Sequence, residues 1–342
     1  MQFPNTSPQS TQSATYAVSA KSIFAFCAIG LVCILLSVAA GIRSFGIGRD
    51  FLEYLQFYGT INPYEISNYS RFEIGFEVIS WVFRIILNLQ YEYLVIFLTL
   101  FTLMVKFYLF KSNLQSYWLA IISYIMLFYP IHEYTQIRAS VAIAFSYIGL
   151  HLALDRKIFL PFVFFILGIC FHSSIILMAV LSITILVIPK NYYIYIGISI
   201  SIMIILFGNI ISDILKIYFA SLNPLISLYL ENSDFSIEAN LFSGTNILLM
   251  LSLIYCLFSG IYNKSRYHLT FFVISFISFI WLAVFQEAPV VALRTAYILF
   301  VSFIFLAFKE KLSYQTAPLQ ILVLLAAGWG FYRSVQEGII IL

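Results

Sequence analysis

Four stretches of this 342-residue chain set ionisable side chains beside long apolar runs. The first is Arg43-Ser-Phe-Gly-Ile-Gly-Arg49-Asp50, followed by a long segment ending at Arg71 and Glu73. The second is His132-Glu133-Tyr-Thr-Gln136-Ile-Arg138, the third Phe171-His172-Ser173-Ser174, and the fourth Gln286-Glu287-Ala-Pro-Val-Val-Ala-Leu-Arg294. Guanidinium is planar and offers paired donors that match phosphate oxygens, whereas lysine acts as a point charge. Arg43, Arg71, Arg138 and Arg294 are therefore the candidates for holding a phosphate or pyrophosphate. Histidine has the unperturbed pKa closest to neutrality and can accept a proton at working pH. That makes His172 the first candidate for a catalytic base, with Glu77 and Glu133 as its rivals. Asp50, Glu73, Gln136 and Glu287 are candidates for contacting substrate. Each has a plainer reading: Arg138 with Glu133, and Arg294 with Glu287, as helix-end ion pairs, and His172 as a packed, hydrogen-bonded histidine.

The elements that must position these residues are apolar. The chain is 62% hydrophobic and only 10% charged, against about 25% charged in a soluble domain, so most of its surface must face lipid. Crossing a hydrocarbon core about 30 Å thick takes about 20 apolar residues in a helix. Such runs lie at roughly 22–40, 91–110, 116–131, 136–154, 158–171, 173–188, 191–208, 245–262, 268–286, 292–308 and 317–333. The expected fold is all-α, a polytopic transmembrane bundle of about eleven spans. It occupies 22–342 as a single membrane domain behind a disordered cytoplasmic tail, 1–21. The stretch 158–188 is long for one span and short for two, so it reads as two short or tilted helices meeting at His172. Residues 72–90 place Glu73, Glu77 and Arg84 at helical spacing among apolar neighbours, the pattern of a re-entrant or interfacial helix. Outer loops are expected at about 41–90 and 209–244. The cysteines (Cys27, Cys33, Cys170, Cys256) all fall inside apolar runs, which favours packing over disulfides or metal.

Lysines set the expected orientation. Lys106, Lys111, Lys157, Lys190, Lys264, Lys309 and Lys311 fall on one side if 72–90 does not cross, and the positive-inside rule makes that side cytoplasmic. The arginines and acids of the four stretches then face outward, against the usual bias. A charge within the bilayer costs several kcal/mol unless paired or solvated, so such residues are functional candidates by default. The net charge of +3 is scattered, which leaves no basic face for nucleic acid. The chain has no Gly-x-x-x-x-Gly-Lys loop, no His-Glu-x-x-His and no Gly-x-Ser-x-Gly, which weighs against ATP-driven transport and zinc proteolysis.

Taken in order, several of these elements resemble the EpsG-like, Wzy-type family of bacterial polysaccharide polymerases. They are Arg43…Gly46-x-Gly48-x-Asp50, Glu73-Ile-Gly75-Phe76, Gln136-Ile-Arg138, Phe171-His172-Ser173-Ser174, and Arg294 followed by Ala296-Tyr297. The family's usual tyrosine after the glycine is Phe76 here, and no Asp-Thr-x-x-Tyr follows Gly48. The resemblance implies a GT-C-like membrane glycosyltransferase in the bacterial cytoplasmic membrane, its active site facing outward. It implies transfer of a growing glycan from undecaprenyl pyrophosphate to a sugar hydroxyl of an incoming lipid-linked repeat unit, with inversion and without metal or cofactor. O-antigen, capsule and exopolysaccharide are all products of such enzymes. A chain-length regulator and a flippase of the same pathway are the implied protein partners. The alternatives are a membrane acyltransferase that decorates a surface glycan and a lipid-linked oligosaccharide flippase or other transporter.

Overall fold

The computed structural model describes residues 20–43, 49–62, 72–222, 240–286 and 289–339. All elements among them are helical: α1 (Ala20–Gly41), α2 (Arg49–Thr60), α3 (Ile74–Trp81), α4 (Tyr91–Asn113), α5 (Tyr117–Leu127), α6 (Tyr129–His132), α7 (Ile137–Leu154) and α8 (Phe159–Phe171). They continue with α9 (Ile176–Val187), α10 (Tyr193–Leu222), α11 (Gly244–Phe258), α12 (Arg266–Val284), α13 (Pro289–Phe300), α14 (Ser302–Phe308) and α15 (Ala317–Gln336). The chain is a multi-pass helical membrane protein. Every run expected to span coincides with helix, yet among the described residues five stretches are long and apolar enough to cross alone: Ser22–Gly41, Tyr91–Asn113, Ile137–Leu154, Arg266–Val284 and Val291–Phe308.

Helix α7 is the hub. It packs against α4, α8 and α9, and Ala139, Ser140, Ala142, Ala144, Ser146, Gly149 and Ala153 along it are all buried. Small side chains let helices approach closely where lipid provides no hydrophobic drive between them. The partner helix α8 reciprocates at Gly168, where an added Cβ would sit 3.2 Å from the Ala142 carbonyl oxygen and 2.4 Å from Ile175 Cδ1.

Several helices are short. Helix α5 has 11 residues and α8 has 13, which at 1.5 Å per residue rise only about 16 and 20 Å. Both are shorter than the about 20 residues that crossing a hydrocarbon core takes. Helix α3 runs on into a π-helical turn, Val82–Ile86. The two together have 13 residues, as α8 has.

Two expectations change. Lys106, counted among the lysines of the cytoplasmic boundary, is buried in the bundle and bonded to Glu133 at 2.6 Å. It lies about two-thirds of the way along α4 (Tyr91–Asn113), where a carboxylate rather than water satisfies it. The loop expected over 209–244 begins as helix, since α10 runs to Leu222. The tail 1–19 and residues 223–239 lie outside the described residues.

Candidate functional site

The C-terminal end of α8, the N-terminal turn of α7 and the start of α3 meet at three side chains. Helix α8 stops because His172 adopts extended backbone (φ −162°, ψ 119°), although its N–H still bonds the Gly168 carbonyl at 2.9 Å. A 3-10 turn, Ser173–Ile175, then starts the next helix in a new direction. That break leaves the Ser173 N–H outside any helical ladder, and it donates to Glu73 Oε1 at 3.2 Å. Glu73 stands at the N-cap of α3, also in extended conformation.

Gly75 is what lets α3 lie on the end of α8. A Cβ there would be 2.7 Å from the Cys170 carbonyl oxygen and 3.0 Å from its carbon, and backbone cannot step aside as a flexible side chain can. The spacing Glu73-x-Gly75 therefore has a physical reason: the glycine permits the approach that carries the carboxylate to His172. Gly75→Ala is expected to push α3 off α8 at a cost of about 1–3 kcal/mol. The melting temperature, read by fluorescence-detected chromatography in detergent, should fall accordingly. A melting temperature equal to wild type would show that the contact is not needed.

Glu73 bridges the other two residues. Its Oε2 accepts from Arg138 Nη1, and its Oε1 accepts from His172 Nδ1 at 3.0 Å. A carboxylate only accepts, so Nδ1 carries the proton and Nε2 of the neutral ring carries the lone pair. His172 Nε2 is buried without a hydrogen-bond partner among the described residues. Glu73 keeps 21% of its side-chain surface exposed, against 9% for Arg138 and 8% for His172, so the cluster opens on the side of the carboxylate.

Both titratable groups lie between the apolar helices, not within them. Burial alone would raise the Glu73 pKa, but the hydrogen bond from His172 and the guanidinium of Arg138 outweigh it and hold the carboxyl down to about 2. Burial lowers the His172 pKa below its ordinary value, Glu73 opposes that, and the charges of Arg138 and Arg294 add to it. At neutral pH the cluster thus holds a carboxylate, a guanidinium and an uncharged imidazole.

Arg138 has an aromatic seat. Its guanidinium lies 4.5 Å from the Phe72 ring centroid and 5.2 Å from that of Tyr54, and its Nε donates to Tyr54 Oη at 3.2 Å. Tyr54 is buried and packs on Phe72 and Phe76. Arg43 lies 4.8 Å over the Tyr134 ring and within electrostatic reach of Tyr54 and Tyr91. Arg294 sits on α13, which packs against the 3-10 turn after His172.

The structure thus gathers Glu73, Arg138 and His172, with Arg294 and Arg43 alongside. Gln136 is the N-cap residue of α7, and Glu77 is buried one turn beyond Glu73 on α3. Glu133 is elsewhere. It is buried among Lys106, Tyr124 (2.8 Å) and Ser140 (2.9 Å), so the Arg138–Glu133 pairing considered from sequence gives way to Arg138–Glu73. Arg71 and Glu287 lie outside the described residues, as does the side chain of Asp50. Sequence reasoning missed Tyr54, Phe72 and Lys106. Tyr54 and Tyr58, four apart and both buried on α2, carried a usable signal in the helical spacing of two aromatics.

No curated protein and no solved structure matches the chain. The family model of the EpsG family matches residues 26–335, a range that contains Arg43, Glu73, Arg138, His172 and Arg294, and the chain belongs to that family.

Proposed function

We propose that this EpsG-family protein is a polysaccharide polymerase that joins lipid-linked oligosaccharide repeat units. The observation that carries the reading is the three-residue cluster, a neutral histidine whose tautomer a carboxylate sets, with arginine on the carboxylate's other oxygen. In the proposed step, the acceptor sugar hydroxyl gives its proton to His172 Nε2 as its oxygen bonds the anomeric carbon of the growing chain. The bond from that carbon to the pyrophosphate oxygen breaks, its electron pair leaves on undecaprenyl pyrophosphate, and the configuration inverts. Arg138 and Arg294 stabilise the charge that develops on the leaving group, a role preorganised donors perform without reorganisation during the reaction. Glu73 holds the imidazole and stabilises the imidazolium. Arg43 is a further pyrophosphate contact, and Gln136 and Glu77 border the acceptor.

Lys111, Lys157, Lys264 and Lys311 support a cytoplasmic position for the opposite end of the bundle, and in this reading the cluster faces outward and elongation occurs there. The test is the surface glycan of a deletion strain resolved on a gel. A ladder that collapses to one repeat unit supports polymerisation, and loss of that single unit as well would point to a flippase or an earlier step. Arg138→Lys and Arg294→Lys should each lower chain extension about 10²–10³-fold, the usual cost of removing one preorganised donor, because a point charge does not replace a paired contact. Full activity of both lysine variants would leave the arginines as helix-end charges.

A further inference from the structure

Arg138, the proposed pyrophosphate ligand, already holds an anion of the chain's own: one oxygen of the Glu73 carboxylate on its Nη1. Guanidinium also matches phosphate oxygens, so a phosphate oxygen that takes this Nη1 competes with Glu73. The two oxygens of Glu73 are used separately. Oε2 faces Arg138, while Oε1 takes the protons of His172 Nδ1 and the Ser173 N–H. The first contact can therefore be lost while the second persists. Glu73 is also the most exposed of the three side chains, so an incoming anion meets it first. The aromatic seat of Phe72 and Tyr54 keeps the guanidinium in place meanwhile.

We propose that Glu73 is an internal occupant of the pyrophosphate site, displaced from Arg138 by the donor's pyrophosphate and left on His172 as the partner of the base. This rests on the polymerase reading and specifies how its site is set. The consequence is an order of events. In the resting chain Arg138 draws on the Glu73 charge and acts against protonation of His172. Once pyrophosphate neutralises Arg138, the Glu73 carboxylate is wholly available to the imidazolium, so the base gains strength when the donor is in place. His172 Nε2 is buried, so the exchange must also uncover it for an acceptor hydroxyl to reach it.

The sign of one effect separates this from a scaffold role for Glu73. Inorganic pyrophosphate binding to the full chain in nanodiscs is measured by calorimetry for wild type, Glu73→Gln and Arg138→Gln, beside the rate of chain extension. Glu73→Gln should bind pyrophosphate about tenfold more tightly than wild type, because an amide competes for guanidinium more weakly than a carboxylate. The same variant should extend chains at least about 100-fold more slowly, in the range of losing general-base catalysis. Arg138→Gln should lose pyrophosphate binding. If Glu73→Gln fails to accumulate, Glu73→Asp serves, since its charge is retained but its reach is too short for Arg138 and His172 together; it too should bind more tightly than wild type. Equal or weaker binding by the Glu73 variants overturns the proposal and leaves the pyrophosphate reading standing. Absence of pyrophosphate binding in wild type and Glu73 variants alike overturns that reading as well.

Discussion

His172→Asn is expected to slow chain extension by about 10²–10⁴-fold, the usual range for removing a general base, while the protein stays in the membrane. Asparagine places an amide N–H near the position of Nδ1, so it can still donate to Glu73, and it has nothing at the position of Nε2. The substitution therefore removes the lone pair and keeps the hydrogen bond that holds α3 to the end of α8. The pH profile gives a second readout. The base works as neutral imidazole, so kcat/KM should be flat at high pH and fall as pH drops through the His172 pKa. Burial, helped by Arg138 and Arg294 and opposed by Glu73, lowers that pKa from 6.5, so the fall should lie below pH 6.5. In Glu73→Gln the opposing influence is gone, and the residual rate should fall off at lower pH still. A His172→Asn rate within a few-fold of wild type would hand the base to a carboxylate, Glu77 first.

Lys106→Met should unfold much of the protein. Lys106 Nζ donates to Tyr124 Oη (2.7 Å), Glu133 Oε1 (2.6 Å) and Ser140 Oγ (2.7 Å), and neither charged partner has meaningful exposure. Removing one half of a buried ion pair typically costs about 3–5 kcal/mol, because the remaining charge is left uncompensated. Lys106→Met/Glu133→Gln removes both charges, and it should recover most of the melting temperature read by fluorescence-detected chromatography in detergent. The pair grips Ser140 in the first turn of α7, two residues from Arg138, so its work is to hold that turn. The double variant should therefore extend chains within about tenfold of wild type, since general-base loss would cost more. A folded but inactive double variant would return Glu133 to the reaction. A single Lys106→Met variant as stable as wild type would contradict the buried pair.

The residues of the site were legible in the sequence where they interrupt something. His172 breaks an apolar stretch that is long for one span and short for two, and the structure breaks the helix there. Arg138 was conspicuous as a charge opening an apolar run. Glu73 stood out as a candidate substrate contact, but its pairing with both was not legible, because it is 65 residues from Arg138 and 99 from His172. A local reading turned instead to Glu133, five residues before Arg138. The positive-inside rule counts lysines without asking which are buried, and so misplaced Lys106. Its partner became visible when α4, α5 and α7 were packed together. The glycine of Glu73-x-Gly75 could be noted in sequence, but its reason is the Cys170 carbonyl on another helix. Helix positions followed closely from apolar runs. Helix α8 ends where the run 158–171 ends, whereas the run 116–131 is broken at Phe128 into α5 and α6.

Reconstitution tests polymerisation by this cluster most directly. The purified chain is placed in liposomes with lipid-linked oligosaccharide repeat units, and products are resolved by size while undecaprenyl pyrophosphate is quantified. The expected result is a ladder of chain lengths, one undecaprenyl pyrophosphate released per new linkage, and both products formed at least about 100-fold more slowly by His172→Asn and Glu73→Gln. Transfer of repeat units across the bilayer without new linkages, or a full ladder from both variants, would contradict it.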